Sequence, residues 1–129
     1  MLLNEPPRVV NVRHVKHRYI YVGRPMSRDR AGIKHWGNPF THISNTSKFH
    51  IIVKSQGAAV EAFRRWLEGT AWHDVQQARR QWILDNVHTL KGRDLGCWCA
   101  PGNCHAYLLL RLANGTAKGF TYESEKEAE

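Results

Sequence analysis

The segment Cys97-Trp98-Cys99-Ala100-Pro101-Gly102-Asn103-Cys104-His105 holds all three cysteines of the chain within eight residues. An apolar run follows it, and Asn103 is a good helix N-cap, so a helix is predicted over about 104–113. Cys104 and His105 would open that helix, where unpaired N–H groups and the macrodipole favour negative charge. Three chemistries are open to such a segment. An anion can dock on the N–H groups, as phosphates do at helix starts. Cys104 can ionise beside a cationic His105, which makes the two the candidate catalytic residues. Cys97, Cys99, Cys104 and His105 also offer four zinc ligands. Spacing counts against the metal. Neighbours on a helix diverge by about 100°, and Cys97 and Cys99 would have to bend toward each other from a strand. Paired C-x-x-C knuckles are absent, as are the H-x-E and P-C-x-x-C elements of a zinc deaminase. The plain alternative is that the cysteines are small core residues. The residues name no cofactor.

A second group could face the first. Tyr21-Val22-Gly23-Arg24-Pro25 ends a predicted strand, and Trp36-Gly37-Asn38-Pro39-Phe40 lies in the loop region that follows. Gly23 and Arg24 can bring backbone and guanidinium close to a phosphate. Asn38, between Gly37 and Pro39, is suited to hydrogen-bond a base or sugar, and Trp36, Phe40 or Trp98 can stack on a base. The expected ligand-binding set is therefore Gly23, Arg24, Trp36, Gly37, Asn38, Trp98, Cys104 and His105. His14, His17, His35, His42 and His50 read as solvated, and no carboxylates pair for acid–base work.

Elements must carry these groups. Residues 8–12 and 19–22 read as strands, and the basic stretch 13–18 between them reads as a hairpin loop. Residues 25–48 read as irregular, and 50–53 as either a strand or the lead into a helix. Ser55 caps a helix over 57–68, with Ala59, Phe63, Trp66 and Leu67 on one face and Gly69 at its end. A second helix is predicted over about 73–90. Its apolar stripe is Val75, Ala78, Trp82, Ile83, Val87 and Leu90; Arg79 and Arg80 fall on the solvated side, like Arg64 and Arg65. Residues 94–99 read as a strand. This order predicts an α/β fold, a small layered Rossmann-like sheet with flanking helices. Its ligands would sit beyond the carboxyl ends of the strands.

The chain has 129 residues and a net charge of +8, with Lys and Arg at 19 positions and Asp and Glu at 11. That length predicts one α/β domain over 1–116, followed by an acidic, disordered tail at 117–129. Eight Lys and Arg lie in residues 1–35 against Glu5 and Asp29. Such a surplus draws anions. No apolar run is long enough to span a bilayer, and the first residues lack the pattern of a secretion signal. An odd, clustered cysteine set is no disulfide framework. The expectation is a cytoplasmic protein with no membrane partner.

The motifs Gly-Arg-Pro at 23–25, Gly-Asn-Pro-Phe at 37–40 and Cys-Trp-Cys-x-Pro-x-x-Cys-His at 97–105 resemble an uncharacterised domain family of bacteriophage and bacterial genomes. The resemblance covers about residues 9–114. Ala106 stands where the pattern has Gly, and the segment between Phe40 and the first helix is longer than usual. The resemblance implies a fold unit and a phage or bacterial setting, and supplies no reaction. The leading expectation is a domain that binds a nucleotide or related phosphorylated ligand and acts on it or only holds it. The alternatives are a nucleic-acid-binding protein using the basic N-terminal segment and a metal-stabilised protein-interaction module.

Overall fold

The computed structural model describes residues 6–24, 33–43, 50–100, 102 and 104–115. In chain order its elements are β1 (Val9–Asn11), β2 (Ile20–Tyr21), β3 (Phe40–Thr41), β4 (Ile51–Ile52), α1 (Gln56–Glu68), α2 (Gln77–Asn86), a 3-10 turn (Val87–Leu90), β5 (Leu95–Cys97) and α3 (Ala106–Asn114). Pro25, Pro101, Asn103 and the acidic segment 117–129 lie outside the described residues.

The two N-terminal strands do not pair with each other, so the hairpin reading is corrected. β5 lies between them and runs parallel to both. Val9 and Ile20 flank Leu95, and Val10 and Tyr21 flank Gly96. The connection is pinned from the central strand's side. Asp94 accepts a hydrogen bond from the Arg8 backbone N–H at 3.1 Å and holds His17 Nε2 at 2.8 Å. A tight hairpin turn would have needed two to five residues with turn chemistry, which this basic stretch lacks. Gly96 makes room on the sheet: a Cβ there would overlap the Tyr19 ring. Residues 50–53 resolve as a strand, because β4 pairs in parallel with β3, Phe40 opposite Ile51.

α1 follows its sequence signals. The Ser55 hydroxyl accepts from the Ala58 N–H at 3.0 Å, and Gly69 ends the helix at φ 86°. Ala59, Ala62, Phe63, Trp66 and Leu67 are buried. α2 is shorter than predicted. Trp72 and Gln76 take left-handed backbone angles, so the helix starts at Gln77, and the last residues tighten into the 3-10 turn. The face differs accordingly: Ala78 is exposed, and Arg79, at 2% exposure, is buried. Its guanidinium lies 5.4 Å from the Trp66 ring and donates to His35 O and Gln76 Oε1. Arg80 donates to the carbonyls of Trp66 and Leu67, closing the C-terminus of α1. Neither arginine belongs to a solvated face. Arg64 is ion-paired with Glu61 and Glu68.

α1 packs on β3 and α2, while α3 packs on β5, β1 and the 3-10 turn. Phe40, Phe63, Trp66, Leu67, Ile83, Leu95, Leu108 and Leu109 fill the space between. The architecture is mixed α/β, with two small parallel sheets and three helices among the described residues. No helix among them is long and apolar enough to cross a membrane.

Candidate functional site

All three strands of the central sheet point the same way, so the chain leaves them on one side. Arg13 follows β1, Gly23 and Arg24 follow β2, and Trp98 and Cys99 follow β5. A cavity of about 460 Å³ lies there, lined by Tyr21, Gly23, Arg24, Asn38, His42, Ile43, Gln56, Ala59, Cys97, Trp98, Cys99 and His105. Of the expected ligand-binding residues, this brings together Gly23, Arg24, Asn38, Trp98 and His105. Trp36, Gly37 and Cys104 do not line it.

Arg24 is its principal cation. Nη2 donates to Phe40 O at 3.1 Å, and Nε is buried with no hydrogen-bond partner. Burial lowers its pKa from 12.5, but a guanidinium stays charged at neutral pH. No Asp or Glu is among the described residues lining the cavity. The phenol of Tyr21 donates to Arg24 O at 2.6 Å and accepts from Trp98 Nε1 at 3.1 Å. Gly23 is required beneath it, because a Cβ would sit 2.5 Å from the Tyr21 hydroxyl. Gly37 serves the same approach from the other side, where a Cβ would sit 3.1 Å from Arg24 Cα.

Asn38 is buried, and both ends of its amide are engaged. Nδ2 donates to Ala59 O at 3.0 Å, and Oδ1 accepts from the Phe40 N–H at 2.9 Å. It clamps its loop to α1, and the bond to Ala59 O uses one of its two amide N–H groups. Trp36 packs its ring against Trp82, with centroids 4.7 Å apart. Its carbonyl, with that of Val22, receives His105 Nε2 at 2.9 and 2.8 Å. Two carbonyl partners require a proton on Nε2, so Nδ1 carries the lone pair. Desolvation lowers the His105 pKa, which favours the neutral imidazole.

The sulfur contacts favour ionisation at a different cysteine from the one the helix-start argument favoured. Cys104 Sγ lies 2.9 Å from Cys97 Sγ, and Cys99 Sγ lies 3.3 Å from it. Cys104 donates to Cys97, and this bond with the Cys99 contact lowers the Cys97 pKa, while the same contacts and burial raise that of Cys104. Cys99 is pushed up to about 11. β5 ends at Cys97 and α3 begins at Ala106, so no straight strand or helix separates the sulfurs. All three lie within 4.8 Å of one another. Asn11 holds the turn after β5 by donating to Trp98 O at 3.1 Å and Ala100 O at 2.7 Å.

A family model described as Domain of unknown function (DUF4326) matches residues 10–115. The chain belongs to the DUF4326 family. No curated protein and no solved structure matches it. The matched span of this DUF4326 domain takes in every cavity-lining residue and all three cysteines.

Sequence reasoning missed Tyr21, His42, Ile43, Gln56 and Ala59 as lining residues of the DUF4326 site. For Gln56 a signal was present: the Ser55 cap marks a helix start. That start, not the one at Cys104, puts its first residue on the cavity, so the electropositive end of α1 borders it.

Proposed function

We propose that the protein binds a nucleotide or related phosphorylated ligand in the cavity beyond β1, β2 and β5. The observation that carries this reading is Arg24: among the described residues, its buried Nε–H has no hydrogen-bond partner and no carboxylate lines the cavity. An unmet buried donor costs about 1–3 kcal/mol, and an anion at Nε relieves it with a charge-assisted bond. The cavity volume is in the range of about 300–1,000 Å³ typical of small-ligand sites. Position also supports it, since open parallel sheets take ligands beyond their carboxyl ends, as Rossmann-like domains do. Trp98, 41% exposed, offers a stacking face; Arg13 covers one side of its ring at 5.1 Å, so a base takes the other.

Calorimetry with a nucleotide panel and inorganic phosphate tests this. Arg24→Ala should weaken binding at least about tenfold, as expected for loss of one charge-assisted contact. Wild-type protein that binds no member of the panel, or equal affinity in the variant, sinks the proposal. A second reading, nucleic acid tracking the basic residues 8–34, is favoured by the Arg13–Trp98 stack. It would show as a steep loss of affinity with salt, whereas a single small ligand gives a shallow one.

A further inference from the structure

We propose that Cys97, Cys99 and Cys104, with Nδ1 of His105, form a zinc site on the floor of the cavity. Three of the four donors already converge, and the fourth lies beside one of them. Three sulfurs within 4.8 Å of one another converge from the end of β5, the turn after it and the approach to α3. None is in a disulfide. A tetrahedral zinc with Zn–S bonds of about 2.3 Å sets its sulfurs about 3.8 Å apart. The observed separations of 2.9 and 3.3 Å need to open by less than about 1 Å, within reach of side-chain rotation.

The imidazole supplies the fourth donor in the form zinc requires. Nε2–H is held by the carbonyls of Val22 and Trp36 at 2.8 and 2.9 Å. Backbone carbonyls on the distal nitrogen fix the tautomer and orientation of zinc-bound histidines in the same way. Nδ1 is left with its lone pair, 3.9 Å from Cys104 Sγ. Zinc bonds of about 2.3 Å to sulfur and 2.0–2.1 Å to nitrogen place the two donors about 3.6 Å apart. Packing alone accounts for buried cysteines as small apolar groups. It does not account for three thiols in mutual contact beside a buried imidazole with its lone pair turned toward one of them.

An entry path exists, since Cys97, Cys99 and His105 line the cavity and Cys99 is only half-buried. On binding, whichever of the three sulfurs still carry protons release them to solvent, and all three become thiolate ligands with no change in oxidation state. The metal would tie the turn after β5 to the start of α3, replacing thiol–thiol hydrogen bonds with coordinate bonds.

The test uses the full chain, purified under reducing conditions from zinc-replete medium. Elemental analysis should find one zinc per chain, and X-ray absorption should show three sulfurs at about 2.3 Å and one nitrogen at about 2.0–2.1 Å. Chelator-stripped protein should take zinc back in competition with a chromophoric chelator and gain thermal stability as it does. Cys99→Ser, at the most accessible ligand, should weaken zinc at least about tenfold, no less than the loss of an outer-shell partner does. Its far-UV circular dichroism should stay that of the wild type. Arg24→Ala should keep its zinc, which separates this outcome from that of the phosphate experiment. Reduced protein that binds no zinc, a metal shell with fewer than three sulfurs, or unchanged affinity in Cys99→Ser overturns the site.

Discussion

The Tyr21 hydroxyl is the smallest group with the widest reach. It donates to Arg24 O and accepts from Trp98 Nε1, so one phenol orients both the cation and the exposed ring of the cavity. It positions these groups and has no chemistry of its own to perform. Tyr21→Phe should lower stability by about 1 kcal/mol, alter Trp98 emission and weaken phosphate binding several-fold. Fluorescence and titration read all three, and an unchanged spectrum with unchanged affinity would reduce the phenol to a space-filler. Glu61 makes a different prediction. Hydrogen bonds from Arg64 and then Arg65 hold its carboxyl at about 2, against 4.5 ordinarily. The folded value is depressed, so the stabilisation is present above 4.5 and is lost as pH falls toward 2. The pair is partly exposed and solvent screens it, so Glu61→Gln should cost only about 0.5–1 kcal/mol at pH 7. Melting curves of variant and wild type should converge near pH 2; a gap that persists there would place the effect outside charge.

At the scale of elements, Arg80 shows how one helix finishes another. Its guanidinium meets the carbonyls of Trp66 and Leu67 at the end of α1. Arg80→Ala should cost about 1.5–3 kcal/mol in urea unfolding, as expected for hydrogen bonds from a charged group. A cost below about 0.5 kcal/mol, usual for a solvated surface residue, would contradict the capping role. Local signals were legible in the sequence, and non-local ones were not. Ser55 and Gly69 bracket α1 because capping depends on a few adjacent residues. The inward turn of Arg79 was hidden because it depends on α2 starting at Gln77, which two left-handed residues decide. The placement of β1 and β2 was hidden because their common neighbour lies more than 70 residues further along. The site divides in the same way. Gly23, Arg24, Trp98 and the cysteines stand at strand ends and could be read in order. The convergence of three sulfurs could not, because spacing arguments assumed straight elements where the chain bends.

At the scale of the molecule, the strand direction sorts the charge. Arg8 lies at the start of β1, beside Asp94, while Arg13 and Arg24 lie at the other end with the cavity. Three of the eight N-terminal cations are thus divided between an ion pair with Asp94 and the cavity end of the sheet. The α/β expectation holds in its coarse form, and the family match covers nearly all of the described core. The sheet order also has a consequence for how the molecule is made. Both edges, β1 and β2, emerge from the ribosome before the central strand β5, which follows more than 70 residues later. Until β5 emerges, β1 and β2 lack the partner they have in the folded sheet, while β3, β4 and α1 can already assemble. Pairings this distant in sequence form slowly and leave unpaired strands exposed meanwhile. A nascent chain stalled before Leu95 would carry two orphaned strands and half a cavity, so the site comes into being only when the cysteine segment is delivered.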